Sequence, residues 1–273
     1  MPSFFRAPVA VLVMLFCLGG CGSKNPGSAQ DITAQDFSLD RAAAIRIADP
    51  CGSISIRGSD SGGLRLRTTK KSGTSEQLKN IGVTVSAQHD DFAIRTTLLR
   101  QKGKPFFGTG DSVDYALTVP RTVKIQRLEV DNGDISLEGL EEGEVQAHIV
   151  DGRLAVKNCY GNIRLAVQNG ALELAYDRPD RLKSTITARV LTGSARLVMS
   201  GSAAFHIVAE TPVGSVTNKL GAMVEVNGRP LRKADFSFGK PPRSEVQIQV
   251  MIGNVSIVGP ARDTASVAAV GGR

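Results

Sequence analysis

Apolar and polar residues alternate along most of the chain, and a polar residue followed by glycine breaks the alternation at regular intervals. Alternation with a period of two predicts half-buried β-strands, and a polar-Gly pair predicts a corner between strands. The clearest copies are LEVDNGDISLEGL, HIVDGRLAVKN and AVQNGALELAY, with corner glycines at Gly133, Gly152 and Gly170. These glycines are 19 and 18 residues apart, and weaker copies follow at Gly193 and Gly214. A repeat of this length predicts a solenoid.

Additional glycines at Gly143 and Gly161 fall between the main corners, so each coil of about 20 residues should contain two short strands. The corner also occurs at Gly52 and Gly253, which places the ends of the repeat near these residues. The predicted fold is all-β, a right-handed β-solenoid in which aliphatic side chains stack between coils. The expected stacks join Ile135 with Leu154, Leu172 and Ala195, and Leu137 with Val156, Leu174 and Leu197.

Two segments interrupt the repeat. Residues 80–120 contain the longer alternating stretches IGVTVSA, FAIRTTL and VDYALTV, which predict a block of antiparallel strands. Residues 219–244 contain VNGRPLRKADFSFGKPPRS, which predicts an irregular insertion. We therefore expect a single solenoid domain over residues 37–259, preceded by a flexible tether at residues 21–36 and followed by a disordered tail at residues 260–273.

The N-terminus has a short basic start and an apolar run of eleven residues, Pro8 to Leu18. This run is shorter than the roughly 20 residues that cross a bilayer, so it indicates an export signal over residues 1–20 rather than an uncleaved anchor. The tetrad LGGC resembles the lipobox of bacterial lipoproteins, which implies cleavage before Cys21 and lipidation of its thiol. An ordinary signal peptide with a cysteine at this place by chance is the alternative. The absence of aspartate at Gly22 favours the outer membrane where a cell has two membranes.

The segment DYALTVPRTVKIQRLEVDNGDISLEGL, with the polar-Gly-x-aliphatic corners after it, resembles the bacterial putative-adhesin β-solenoid family. The resemblance spans roughly Phe37 to Gly259. It implies a cell-envelope domain of unknown function, with no catalytic residues or cofactor to carry over. The chain departs from the family's pattern in the basic segment RQKGKPFFG and in the insertion from Arg229 to Arg243.

The formal net charge is +7, which favours anionic partners but also serves solubility. Cations beside exposed aromatic rings suit an anionic glycan or a lipid headgroup. Lysine and arginine on edge strands also prevent aggregation, and this is the alternative explanation. Nucleic acid is not an expected partner of an exported protein. The possible anionic-ligand surface consists of Arg65, Arg67, Arg95, Arg100, Lys102, Lys104, Phe106 and Phe107.

The polar residues before three corner glycines, Asn132, Asp151 and Asn169, should form a ladder along one edge of the solenoid. Their expected role is geometric, because Asn and Asp hydrogen-bond their own turns. A calcium ladder is the alternative, but calcium-binding β-rolls repeat GGxGxDxUx and asparagine lacks the charge. The full set of structural corner residues is Gly52, Asn132, Gly133, Asp151, Gly152, Asn169, Gly170, Gly193, Gly214 and Gly253.

The sequence offers little support for catalysis. It contains no Gly-x-Ser-x-Gly, Walker, Cys-x-x-Cys or His-Glu-x-x-His motif. Its three histidines, His89, His148 and His206, lie in different units and are expected on the surface, and the alternation directs His148 and His206 outward. Cys51 and Cys159 could pair in an oxidising compartment, or remain two free thiols. The acidic cluster on the repeat should serve as solvating charge, and it comprises Asp131, Asp134, Glu138, Glu141 and Glu142.

These features predict a lipid-anchored, non-enzymatic cell-envelope protein that offers a β-solenoid surface for adhesion, binding or scaffolding. No cofactor and no metal are expected. The alternative is a polysaccharide-active β-helix enzyme, a lyase or a hydrolase. Such an enzyme needs carboxylates, or carboxylates with Arg or Lys, clustered on a groove face.

Overall fold

The computed structural model describes residues 29–88, 90–98, 110–141, 143–177, 183–200, 204–220, 231–238 and 244–259. The predicted signal peptide, Cys21, the basic tip from Arg100 to Phe107 and the predicted tail lie outside these ranges. No helix within the described residues is long and apolar enough to cross a membrane.

The described chain forms fourteen strands and one short helix. Their bounds in chain order are β1 Ala29–Ser38, β2 Ala44–Ser59, β3 Gly63–Ser72, α1 Ser75–Leu78, β4 Ile81–Ala87, β5 Asp91–Leu98, β6 Ser112–Pro120, β7 Lys124–Glu138, β8 Gly143–Lys157, β9 Gly161–Tyr176, β10 Thr185–Met199, β11 Phe205–Glu210, β12 Val213–Asn218, β13 Lys233–Phe238 and β14 Ser244–Val258.

The predicted all-β class is confirmed, and the strands form one large sheet that is mostly parallel. Strands β2, β7, β8, β9, β10 and β14 lie side by side in parallel, and β11 and β12 both pair in parallel with β14. Antiparallel pairing joins β1 to β3, β3 to β6, β4 to β5 and β11 to β13. We name the six parallel strands from β2 to β14 the parallel stack.

The corner glycines lie in one column, because the register pairs each of them with the corner glycine of the next strand. Their φ angles are between +137° and +147°, a region that L side chains rarely adopt. Glycine also permits the strands to approach, since a Cβ on Gly133, Gly152, Gly170, Gly193, Gly214 or Gly253 would lie 1.7 to 1.9 Å from the neighbouring glycine's carbonyl oxygen.

The core lies on one side of each strand before the corner and on the other side after it. In β8 the buried residues are Val145, Ala147 and Ile149 before Gly152, but Leu154 and Val156 after it. In a flat strand every second residue faces the core, so the buried positions would stay odd-numbered throughout. Here they are odd-numbered up to Ile149 and even-numbered from Leu154, which shows that the strand bends around the core. The stacks predicted through Ile135 and Leu137 are confirmed by the register.

Two details of the coils differ from the prediction. Each strand of the parallel stack is a single strand of 15 or 16 residues that passes through its corner, where we expected two short strands. At each corner the register omits only the residue two positions before the glycine and resumes at the residue directly before it, so pairing with a neighbour on each side keeps the strand continuous. The prediction that the repeat ends near Gly253 was also wrong, because Gly253 lies between Gly193 and Gly214 in the column of corner glycines.

The order of the last coils follows from strand length. Strand β14 is continuous over 15 residues and can pair along all of β10. Strands β11 and β12 have six residues each and are separated by Thr211 and Pro212. The continuous strand therefore takes the place beside β10, and the two short strands pair with its other side.

The prediction of a tether was wrong for residues 29–36, which belong to strand β1. This strand is exposed along most of its length, and its polar composition is that of a linker. It is held by antiparallel pairing with β3 from Ala29 to Ser38 and by Phe37, whose ring lies 5.1 Å from that of Phe92. Backbone hydrogen bonds of this kind place no demand on side-chain polarity.

Cys51 and Cys159 are both free, and no disulfide joins them. Cys51 is half-buried beside the glycine column, whereas Cys159 is buried and its thiol contacts the carbonyl oxygen of Lys157 at 3.5 Å. Of the two alternatives that the sequence left open, the structure favours two free thiols.

Candidate functional site

The described members of the predicted basic surface lie on two different faces. Arg65 and Arg67 are exposed on β3, whose partner β6 pairs with the part of β2 after its corner. Arg95 pairs with Ala48, which lies before that corner, so it belongs to the other half of the sheet. Arg65 is also ion-paired with Asp36 at 2.8 Å. The structure therefore does not bring these three arginines together, and the remaining members lie outside the described residues.

A groove crosses the outer face of strands β7 to β10, before their corners. Its volume is about 660 Å³. We name it the outer groove. The charged and small residues that give it its character are Arg127, Glu129, His148, Arg164, Ala166 and Arg189.

The outer groove is a consequence of side-chain size within one register row. Glu129, His148, Ala166 and Arg189 are paired in succession across β7, β8, β9 and β10. The alanine is the shortest of the four, and Thr187 is a short side chain beside Arg164 in the next row. Long side chains around two short ones leave a trough on an otherwise regular sheet face.

Two of the three arginines of the outer groove are neutralised by local ion pairs. Arg127 lies 2.7 Å from Glu129, and Arg164 lies 2.9 Å from Glu144. The hydrogen bond that Arg127 donates to Glu129 raises the pKa of the Arg127 guanidinium. Arg189 is exposed and makes no ion pair with any described residue. Its five N–H donors therefore remain available for an anionic group.

The predicted acidic cluster does not form a pair of facing carboxylates. Glu138 is ion-paired with Arg57 at 3.0 Å and lies 3.6 Å from Lys157, and Glu141 lies 3.6 Å from Arg121. These pairs lie on outward faces, as expected for solvating charges. Glu142 is outside the described residues. None of the four described acids of the cluster lines the outer groove.

The histidines have different surroundings. His148 faces outward, as predicted, but it lies in the outer groove rather than on an open surface. His206 lies 3.3 Å from the hydroxyl of Ser237 and 3.6 Å from Asp235. His89 lies outside the described residues.

The polar corner ladder is formed in part. The side-chain amide of Asn169 donates a hydrogen bond of 3.0 Å to the carboxylate of Asp151, its register partner. Within the described residues, no group of three or more His, Cys, Asp and Glu side chains could hold a metal ion. The geometric role of these corner residues accounts for this contact.

The sequence reasoning missed a buried acid, Asp49. The residue is 3% exposed and occupies an inward position of β2. Burial raises its pKa to about 7, with the Thr96 hydroxyl and the Cys51 backbone partly opposing the shift. Neither of these two groups completes a hydrogen bond with the carboxylate, and the Thr96 hydroxyl is bonded instead to the Tyr115 hydroxyl at 2.6 Å. The signal was its place three residues before a corner glycine, where the other strands of the parallel stack have Val130, Ile149, Val167, Val190 and Val250.

No protein-family model matches the chain, and no curated protein is significantly similar to it. Solved structures similar to the chain include a putative cell adhesion protein from Clostridium sporogenes ATCC 15579, with 14% identity, a TM-score of 0.46 and coverage of 85% of this chain and 100% of that one. A putative adhesin from Bacteroides fragilis NCTC 9343 has 13% identity, a TM-score of 0.32 and coverage of 84% and 97%. A putative lipid binding protein from Parabacteroides distasonis ATCC 8503 has 10% identity, a TM-score of 0.26 and coverage of 84% and 97%.

Proposed function

We propose that this protein is a lipid-anchored, non-enzymatic component of the bacterial cell envelope, held at the outer membrane through Cys21. Its β-solenoid offers a surface for adhesion, binding or scaffolding. The ligand-binding part of that surface is the outer groove, and the ligand is an extended acidic polysaccharide that crosses the strands.

The observation that carries the proposal is one basic side chain from each of four successive strands. These are Arg127 on β7, His148 on β8, Arg164 on β9 and Arg189 on β10. Neighbouring strands are about 4.8 Å apart, so the basic groups follow one another at about that interval along the stack axis, with His148 and Arg189 in one register row and Arg164 in the next. A polymer with a carboxylate on each sugar unit presents negative charge with a comparable repeat. Arg189, which has no ion-pair partner among the described residues, provides the strongest single contact.

A binding role is favoured over hydrolysis by the carboxylates of the outer groove. Glycoside hydrolysis uses two carboxyl groups about 5 to 9.5 Å apart, on either side of the scissile bond. Glu129 is the carboxylate that lines the described groove, and it is ion-paired with Arg127. The nearby Glu144 accepts from both Arg164 and Gln146. Both acids are occupied as partners of the groove's own side chains.

The test of ligand binding uses the full chain with Cys21→Ser and two forms of one polymer, oligogalacturonate and its methyl ester. The charged form should bind, the binding should weaken as salt increases, and the ester should not bind. Arg164→Gln with Arg189→Gln should weaken binding at least about tenfold. The matched control is Arg196→Gln, an exposed arginine of the same strand on the other sheet half, which should leave binding unchanged.

Equal binding of the ester, or no binding of oligogalacturonate, would refute the groove assignment. Cleavage of the polymer would instead support the polysaccharide-active alternative. The lipid anchor is tested separately by fractionation of cells. The Cys21→Ser chain should leave the membrane fraction, and its retention there would contradict anchoring through this residue.

A further inference from the structure

Exposed apolar side chains are concentrated at one place on the described surface. Five large hydrophobic residues of the described chain are well exposed, and four of them, Leu191, Val213, Met251 and Ile252, lie at corners of the last coils. Their exposed fractions run from 41% to 58%. We name these four residues the apolar corner patch. Single exposed apolar residues are ordinary, but a contiguous group marks an interaction surface.

The four residues are contiguous because three neighbouring strands contribute them. Val213 on β12 pairs in register with Ile252 on β14. Val190 on β10 pairs with Val250 on β14. Leu191 directly follows Val190, and Met251 directly follows Val250, so these two residues are also neighbours. The apolar corner patch therefore spans β10, β14 and β12.

The corner geometry does not require apolar residues at these positions. The corners of β7, β8 and β9 have the same positive φ at their glycines and the same register. The exposed residues just before those glycines are polar. They are Asp131, Asp151, Gln168 and Asn169. The half-buried Val150 of β8 and the exposed Thr192 of β10 depart from this division. The exposed residues of this edge thus change from mainly polar to mainly apolar at β10, which indicates a role beyond folding.

Cations border the apolar corner patch. Arg189 precedes Leu191 by two residues on β10 and is exposed. Arg232 and Lys233 are exposed on the chain segment that pairs with the end of β11, where the carbonyl oxygen of Arg232 accepts from the N–H of Thr211 at 2.9 Å. Apolar side chains that protrude beside lysine and arginine fit the interface of an anionic bilayer, where the former enter the acyl boundary and the latter contact phosphates.

We propose that the apolar corner patch is a membrane-contact surface, by which the last coils dock on an anionic bilayer. This contact does not require a lipid at Cys21, and it shares one cation, Arg189, with the outer groove. It adds a second attachment at the end of the stack remote from β1.

The test uses the full chain with Cys21→Ser and two kinds of vesicle. One mixes phosphatidylethanolamine with phosphatidylglycerol, and the other contains zwitterionic lipid alone. The chain should sediment with the anionic vesicles and much less with the zwitterionic ones. Leu191→Ser with Ile252→Ser should weaken this binding at least about tenfold while oligogalacturonate binding and the melting temperature are retained.

The matched control is Ile32→Ser, which removes the fifth exposed hydrophobic residue, on β1, and should leave vesicle binding unchanged. The proposal is overturned if the parent chain does not bind anionic vesicles or if the double variant binds them as well as the parent. It is also overturned if the parent self-associates in solution and the double variant does not, since the patch then joins two copies of the chain.

Discussion

Gly152 lies so close to the carbonyl oxygen of Gly133 that a Cβ on Gly152 would be 1.8 Å from that oxygen. The φ of Gly152 is +144°, so alanine would be strained there even without the clash. Gly152→Ala should therefore lower the free energy of unfolding by about 3 kcal/mol or more. Urea unfolding of the full chain measures the change.

The matched control for this glycine is Gly82→Ala on β4. A Cβ at Gly82 would have its nearest atom at 3.5 Å, which is ordinary contact. The substitution should change the free energy of unfolding by about 1 kcal/mol at most. Equal losses for the two variants would show that the column tolerates side chains.

The buried carboxyl of Asp49 should make stability depend on pH. Its pKa rises from 3.8 to about 7 on folding, so above pH 4 the unfolded chain releases a proton that the folded chain retains. The associated stability is complete below the unfolded pKa and is lost as pH rises through about 7. The free energy of unfolding should fall by about 3 kcal/mol between pH 5 and pH 8.

Asp49→Asn removes this titration and should leave the free energy of unfolding nearly flat over the same pH range. Chemical unfolding at several pH values measures both slopes. Asp134→Asn, at an exposed position of β7 just after its corner, is the control and should keep the slope of the parent chain. An unchanged slope in Asp49→Asn would assign the pH dependence to another group.

The two thiols should differ in reactivity and should not pair. Cys159 is fully buried, and burial raises its pKa to about 12, so almost no thiolate forms near neutral pH. Burial also raises the pKa of the half-buried Cys51, with nearby Asp49 adding to the shift. Iodoacetamide should therefore modify Cys159 only after unfolding, as read by mass spectrometry of peptides. A Cys51–Cys159 linked peptide from the native chain would contradict the structure.

If the outer groove binds the anionic polymer, changes to the basic surface predicted from the sequence should have little effect on binding. Simultaneous replacement of Arg65, Arg67, Lys102 and Lys104 by serine should leave oligogalacturonate binding within about threefold of the parent, because Arg65 and Arg67 lie away from the outer groove. Isothermal titration at low and high salt measures this. If the quadruple variant loses binding, the ligand meets the predicted basic surface rather than the groove.

Much of the architecture could be predicted because the corner repeats itself. A glycine that needs positive φ and has no space for a Cβ must recur at each coil, so the copies at Gly133, Gly152 and Gly170 were visible in the sequence. The stacked aliphatics after each glycine followed from the same spacing. These features are local, and the sequence of each coil shows them independently of the other coils.

Other features depend on which strands become neighbours, and a single sequence does not contain that information locally. The place of β14 between β10 and β12 follows from competition between a continuous strand and an interrupted one. The outer groove exists only where Ala166 lies between His148 and Arg189 in a register row. Asp49 could have been found from the sequence. It lies three residues before its corner glycine, as Val130 does, and the two residues are register partners.

Two corner glycines can be register partners whatever the length of the chain segment that connects their strands. Gly52 and Gly133 are register partners although β3 to β6 lie between them in the chain. Gly193 and Gly253 are likewise register partners although β11 to β13 lie between them in the chain. Each corner thus offers a fixed pairing position for a later strand, and the segment between the two strands can have any length. Such a scaffold is modular, and new segments can be grafted between corners without altering the coils on either side.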